Sequence, residues 1–392
     1  MEKDWAWLPG IPLDLILKKL VSVRDFACFS AVCKRWNSIA EDTRKKVCLV
    51  NESRPQPPFL LIPDYRSSYV PLRLYSVTQK KILHHQFRNP YPNSRGWVGS
   101  SRGWLLLADQ DLKIYLFNPF SYKEIILPPI PEAAESFSKR RLHLNWFITK
   151  AILSSDPVLH PRGFEVSVIY EVSYISHNEQ NYRLGVYRSS EKAWTVRQVE
   201  DRKFDDIIYH RGKIHLVDKI GIAELLVASD HPALVPVKWT QQTRSCLHYL
   251  VENGDGDGDL LLIERFFQNS YPGLTSKFSI NRLDPNPGGL AKLVKIKDIG
   301  DNEVFVGRHE SIMIPTCHFP GLQRNCVYYL TDDLPKGEGD AGVFNLDDGS
   351  IERYDNNLPP RLIDDVVWIM PTLTCHDNIK WTKLSSMIHD QL

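Results

Sequence analysis

Residues 103–129 read Gly-Trp-Leu-Leu-Leu-Ala-Asp-Gln-Asp-Leu-Lys-Ile-Tyr-Leu-Phe-Asn-Pro-Phe-Ser-Tyr-Lys-Glu-Ile-Ile-Leu-Pro-Pro. Apolar runs too short for helices alternate with residues that bend the chain. Residues 103–108 form one strand, Asp109-Gln110-Asp111 a turn, residues 112–117 a second strand, and Asn118-Pro119 a turn into 124–127. Strands joined by turns this tight make an antiparallel meander.

The same grammar continues in both directions. Upstream, Phe59-Leu60-Leu61-Ile62 is a first apolar run; downstream, 184–187 turns through 188–192 into 193–196, and 207–209 turns through His210-Arg211-Gly212 into 213–217. Residues 278–280 lead through a Pro/Gly-rich stretch at 284–289 to 293–296, and 327–330 precede an acidic loop. Residues 342–346 turn at Asp347-Asp348-Gly349 into 350–352. Many short strands with almost no helical periodicity between them imply a sandwich, a barrel or a propeller. Such hairpins fill about 330 residues, more than a sandwich uses, and blades of about 45 to 50 residues would number about six or seven. The fold expected is therefore mostly β: a large antiparallel domain, a β-propeller of degenerate blades. Neither a Trp-Asp dipeptide nor a regularly spaced Gly-Gly recurs.

The amino-terminal stretch has a different texture. On a helical wheel Leu13, Ile16, Leu17, Leu20 and Val21 share an arc of about 140°, while Leu15 points away. Pro12 is tolerable in a first turn, where its missing donor is not needed. Asp25 is placed to cap a second helix, in which Phe26, Cys28, Phe29, Val32, Cys33, Trp36 and Ile39 fall within about 160°. Two helices can bury one stripe each against the other, and several large apolar groups remain over, each worth about 1.5 to 3 kcal/mol when removed from water. Either the rest of the chain covers them, the hairpin serving as a cap, or a partner protein does.

Residues 51–58, Asn-Glu-Ser-Arg-Pro-Gln-Pro-Pro, read as an exposed linker, because each proline lacks a donor and biases its predecessor toward extended geometry. The expected organisation is a helical module at 5–48, a linker at 49–58, the β domain at 59–372 and a tail at 373–392.

Composition bounds the function. The chain has 392 residues, 43% hydrophobic and 24% charged, which suits a globular protein. A formal net charge of +1 argues against a dedicated nucleic-acid binder, which needs a concentrated positive footprint. The basic runs Arg44-Lys45-Lys46 and Lys139-Arg140-Arg141 suit solvated faces, with nuclear import as the alternative. Seven cysteines without a C-x-x-C pair fit a reducing compartment better than a disulfide framework. No run approaches the roughly 18 apolar residues of a membrane span. The expectation is a soluble protein of the cytoplasm, the nucleus or both, with no membrane or nucleic-acid partner.

Leu8-Pro9, the 13–20 helix, Asp25-Phe26 and above all Ala31-Val32-Cys33-Lys34-Arg35-Trp36 resemble an F-box, the module that attaches substrate receptors to the Skp-type adaptor of cullin-RING ubiquitin ligases. The chain departs from that pattern at Ile11, where an acidic residue is expected. The β half resembles the domain of plant F-box proteins of the KIB type, described as kelch-like or propeller-like. The similar residues are Gly99-Ser100-Ser101-Arg102-Gly103-Trp104-Leu105, Phe117-Asn118-Pro119-Phe120, Leu127-Pro128-Pro129, Gly212-Lys213-Ile214, 258–262 before Glu264-Arg265, 304–307, and 325–329 with Asp332-Asp333. The resemblance implies a plant protein, and it implies that Leu8, Pro9, Leu13, Leu15, Ile16, Leu17, Leu20, Phe26, Phe29, Val32, Cys33 and Trp36 divide between the hairpin's own core and the adaptor.

Catalytic patterns are weaker. Asn253-Gly254-Asp255-Gly256-Asp257-Gly258-Asp259 suggests a calcium loop, but counting from Asp255 puts Leu260 at the turn glycine and Phe266 at the bidentate glutamate. A hairpin loop fits better. His84-His85, Cys317-His318 and His376 lack zinc spacing. The pairs Asp205-Asp206, Asp332-Asp333, Asp347-Asp348 and Asp364-Asp365 place neighbours on opposite faces of a strand and suit turns. Acidic loops gathered on one face could alternatively hold a basic client segment. The ten tryptophans are expected mainly between blades. The reading is a non-catalytic substrate receptor of a cullin-RING ligase without metal or cofactor, its partners the Skp-type adaptor, the scaffold reached through it, and an unidentified protein client. Two alternatives stand beside it. One is a propeller enzyme with the hairpin as a cap, which would show charged groups converging on the central channel; the other is an F-box protein acting outside a ligase.

Overall fold

The computed structural model describes residues 7–20, 23–47, 57–63, 71–87, 95–109, 112–131, 147–173, 180–199, 203–218, 222–226, 233–235, 246–254, 258–268, 273–284, 292–319, 321–330, 340–354 and 366–371.

Three helices come first: α1 (Gly10–Lys19), α2 (Val23–Ala31) and α3 (Lys34–Val47). The single second helix expected from Asp25 onward is in fact two. The Val32 N–H turns back to the Phe29 carbonyl at 3.3 Å, ending α2, and the Trp36 N–H donates to Cys33 Sγ at 3.5 Å, capping α3. Asp25 lies inside the first turn of α2, where its charge still suits the helix dipole. Pro12 occupies the third position of α1, among the first four residues whose N–H groups lack intrahelical partners.

The strands then follow as hairpins. The first sheet holds β1 (Phe59–Pro63), β2 (Leu72–Ser76) and β3 (Lys81–Phe87). The second holds β4 (Arg95–Ser101), β5 (Trp104–Asp109), β6 (Lys113–Asn118) and β7 (Lys123–Pro129), and the third β8 (Ile148–Leu153), β9 (Glu165–Ser173), β10 (Gln180–Arg188) and β11 (Ala193–Val199). The fourth is β12 (Asp206–His210) to β15 (Ala233–Val235), with β13 (Lys213–Val217) and β14 (Ile222–Leu226) between. The fifth is β16 (Cys246–Asn253), β17 (Asp259–Phe267), β18 (Thr275–Asp284) and β19 (Lys292–Ile296). The sixth contains β20 (Asn302–Val306), β21 (Ile312–Pro315), β22 (Cys326–Tyr329), β23 (Gly342–Asn345) and β24 (Ile351–Arg353). A final strand, β25 (Val367–Ile369), returns to pair with β1, Leu60 opposite Trp368.

The arrangement is a β-propeller. Among the described residues, five sheets have the regular four strands where six or seven such blades were expected, and the sixth sheet differs by carrying five. It also breaks the all-antiparallel expectation: β20 and β22 run parallel, Val304 beside Val327. After β20 the chain makes β21, passes a 3-10 turn at Thr316–His318, and comes back on the other flank of β20 in the same direction.

Apolar clusters sit at each junction around the ring. Leu61, Leu107 and Ile369 join the first and second sheets; Leu106, Ile148 and Val168 the second and third; Ile169, Leu184 and Ile214 the third and fourth. Val217, Leu250 and Leu262 follow, then Ile263, Val304 and Tyr329, and finally Leu60, Phe305 and Trp368 between the sixth sheet and the first. This explains the unbroken apolar run in β5. Leu105 and Leu107 face one neighbouring sheet while Trp104, Leu106 and Ala108 face the other, so both sides of the strand are core.

Two-residue hairpin turns at Arg102-Gly103 and Arg211-Gly212 place both central residues at positive φ, the conformation whose twist matches the flanking strands. Gly99 serves a different need. A Cβ there would stand 2.3 Å from the Ala151 carbonyl oxygen, so only glycine lets β4 lie this close to β8.

Candidate adaptor surface and channel-lining residues

The helical module closes a small core of its own. Leu13, Leu17, Phe29 and Ala40 are buried, with Leu8, Leu20, Trp36 and Ile39 half-buried against them. The Phe29 and Trp36 rings lie 4.4 Å apart, and Thr43 donates to Asp14 at 3.0 Å, tying α3 to α1. What this core leaves outside is large and apolar: Leu15 is 55% exposed, Ile16 40% and Val32 55%, with Trp7 and Ile11 more exposed still. The wheel placed Ile16 on the packing face, but only Leu13 and Leu17 of that arc are fully inside. Pro9 is exposed and Cys33 half-buried. Phe26 lies on α2, its side chain outside the described residues, as does Val21 entirely. The break at Val32-Cys33 resets the helical phase, which is why Val32 points out although the continuous wheel grouped it with Phe29.

In the propeller, β25 lies against β4, β4 against β8, β8 against β12, β12 against β16, and β16 against β21. Each is the edge strand of its sheet, so this row lines the axis. It is not apolar throughout. Lys150 on β8 forms a buried ion pair with Asp206 on β12, whose carboxylate also accepts the Ile207 N–H and, at 2.8 Å, the Leu250 N–H. Glu310 accepts from Ser101 Oγ at 3.2 Å and from the Arg102 N–H at 2.8 Å, while Ser100 donates to the Trp368 carbonyl at 2.6 Å. Burial pushes the Glu310 carboxyl up against the opposing pull of Arg102, and holds His309 well below the usual imidazole range, with Arg308 and Lys150 adding to it. Lys150 and Asp206 compensate each other across neighbouring sheets, and Glu310 is held by a hydroxyl and a backbone amide.

Asp205 and Asp206 part company as the strand alternation requires. Asp206 faces Lys150, whereas Asp205 accepts from His248 on the neighbouring sheet, Nδ1 to Oδ2 at 2.7 Å. The other ring nitrogen of His248 lies 3.4 Å from Cys246 Sγ. The sequence reading assigned no histidine or cysteine to chemistry and missed this trio. Its readable part was the Cys-x-His spacing on a strand, which puts both side chains on one face; the partnership with Asp205, 43 positions away, exists only in the fold. Asp347 accepts from Asn325 at 2.6 Å and Asp348 from the Ser350 N–H at 2.8 Å, both turn roles. Asp332-Asp333, Asp364-Asp365, His376 and the linker residues 49–56 lie outside the described residues, as do residues 255–257 of the glycine-aspartate loop and the side chains of His84 and His85.

A family description, the KIB1-4 beta-propeller, matches residues 74–345. The chain belongs to that family. Relatives of the KIB-type chain in Arabidopsis thaliana extend the likeness beyond the propeller. The product of At1g65770 is 23% identical over 91% of this chain and 96% of its own. F-box protein SKIP23 is 24% identical over 89% and 91%, and F-box protein At2g26160 22% over 84% and 96%. The family and these relatives make the chain a plant F-box protein of the KIB type.

Proposed function

We propose that this KIB-type protein is the substrate-recognition subunit of a cullin-RING ubiquitin ligase, binding a Skp-type adaptor through its helices and a protein client through the propeller. The observation that carries the reading is the apolar surplus on the helical module. Leu15, Ile16 and Val32 stand exposed beside a core that Leu13, Leu17, Phe29 and Ala40 already complete. An apolar patch rimmed by polar residues marks an interaction site, and helices with such a face dock into a partner's groove. The names of the relatives support it, since they are F-box proteins. In this role no residue makes or breaks a bond; the protein raises the concentration of client lysines near the transfer module. It would work in the cytoplasm, the nucleus or both.

Co-purification tests this reading. The full chain carrying Leu15→Asp and Val32→Asp is expected to lose the Skp-type adaptor while keeping its circular dichroism, because neither side chain belongs to the core. Undiminished adaptor binding by the folded variant would overturn the assignment.

A second reading, a propeller that also carries chemistry, draws on the charged groups along the axis and on the Cys246, His248 and Asp205 contacts. Asp206 and Glu310 are each engaged by neighbouring side chains or backbone amides, which suits ties between blades.

A further inference from the structure

Cys246 opens β16, the edge strand of the fifth sheet, and His248 follows two positions on, on the same face of the strand as Leu250. That face packs toward the fourth sheet, where Leu250 meets Val217 and where Asp205 immediately precedes β12. The three side chains line up in contact: Sγ to Nε2 at 3.4 Å, Nδ1 to Oδ2 at 2.7 Å. Both His248 and Asp205 side chains are more than nine-tenths buried. Such an order of thiol, imidazole and carboxylate is the arrangement in which the base takes the proton of the nucleophile and the carboxylate fixes the ring that does so. Burial opposes a charge on His248, but the bonds to Asp205 and Cys246 outweigh it and push the imidazole up to about 9. Other charges near the trio are Glu264, cross-strand from His248 and bonded to Asn281, and the Asp206 and Lys150 pair on the neighbouring strands.

A buried thiol cannot admit a bulky substrate, which narrows the chemistry. Cys246 is only 4% exposed, too little for a peptide or a sugar, so a reagent that reaches it must be about the size of water. We propose that Cys246 is a peroxide-reactive thiol, activated by His248 and oriented through it by Asp205. The sulfur attacks one oxygen of hydrogen peroxide, an S–O bond forms and the O–O bond breaks. The imidazolium of His248 gives its proton to the departing hydroxide and the thiol proton replaces it on the ring, so thiol plus peroxide yield sulfenic acid plus water, sulfur losing two electrons and peroxide gaining them. His248 and Asp205 are positioning residues. The consequence falls on the junction of the fourth and fifth sheets, where an added oxygen must displace the imidazole or the strand that bears it.

The test is peroxide treatment of the folded full chain, removal of the peroxide, unfolding in denaturant that contains dimedone, and peptide mass spectrometry. The expected result is that the Cys246 peptide acquires the sulfenic-acid adduct before those of the exposed Cys28 and Cys317. Asp205→Asn is expected to slow that labelling by about 100-fold, because the His248 ring loses the carboxylate that orients it and its proton transfer fails with it, and Asp205→Glu to restore part of it. Because Asp205→Asn could unfold the junction, Cys246 is also probed with a bulky maleimide, which reacts slowly with the folded protein and fast with an unfolded one. The proposal fails if Cys246 stays unlabelled while Cys28 and Cys317 oxidise, or if a folded Asp205→Asn variant is labelled at the unaltered rate.

Discussion

The most exacting positions are single ionisable side chains inside the sixth sheet and its neighbour. Glu303 on β20 is completely buried, neither carboxylate oxygen has a hydrogen-bond partner among the described residues, and burial pushes it up to about 9. Its folded pKa therefore lies above the ordinary value of 4.5. A carboxyl raised in this way supports the fold fully below the unfolded value and loses that support as pH climbs toward the folded one. Glu303→Gln, which keeps the shape and removes the titration, is expected to match the natural protein at pH 4.5 and to exceed it by about 1 to 3 kcal/mol at pH 8. Urea denaturation at the two pH values measures it, and a difference of the same size at both would contradict the assignment. Arg265 is the opposite case, a buried charge with every need met. It donates to Thr275, to Tyr249 Oη, to the Leu330 and Asp340 carbonyls, and at 3.1 Å to the Asp340 carboxylate, with Tyr329 stacked under its guanidinium. Asp340→Ala strands that cation in the interior and is expected to cost about 3 to 5 kcal/mol, read as a lowered urea midpoint. The paired change Arg265→Met with Asp340→Leu is expected to recover most of the loss.

Among elements, the two kinds of position on α1 separate stability from binding. Leu13→Ala opens a cavity in a four-residue core and is expected to cost the module about 2 to 5 kcal/mol, whereas Leu15→Ala, exposed on the other side, should stay within about 0.5 kcal/mol. Helix-selective hydrogen exchange distinguishes them, and equal losses at both positions would show that Leu15 is covered in the folded chain. The strands were legible in the sequence because each apolar run ends at a residue with its own reason to turn, such as Asn118, whose side-chain oxygen accepts the Phe120 and Ser121 N–H groups. The helix break was not, since a wheel assumes one continuous axis and the cap that interrupts it is a cysteine sulfur rather than an oxygen. The parallel pairing of β20 with β22 was equally hidden: Val304-Phe305-Val306 reads as the same buried strand whichever way its neighbour runs. Of the candidate site, the exposed Leu15 followed from periodicity alone, while the trio around His248 needed two sheets brought together.

At the level of the whole molecule, the ring is closed by three residues from the far end of the described chain. β25 supplies the axial edge of the first sheet, and Trp368 spans the last junction, its Nε1–H donating to the Val306 carbonyl at 3.1 Å and its ring edge-on to Phe305 at 5.2 Å. The other sheets are each built from strands that follow one another along the chain; the first sheet instead pairs residues some 300 positions apart, Leu60 with Trp368. Its loop closure is correspondingly slow to form, so local sheets can precede it and the closed ring comes last. Trp368→Ala removes both the bond and the largest side chain of the junction and is expected to cost about 3 to 5 kcal/mol. It should act mainly on the rate of unfolding, because contacts made late are absent from the transition state. Stopped-flow kinetics in urea would show the unfolding limb raised and the folding limb nearly unmoved. A folding limb that slows by as much as the unfolding limb quickens would instead place ring closure before the barrier, and would make β25 a participant in nucleation rather than its final clasp.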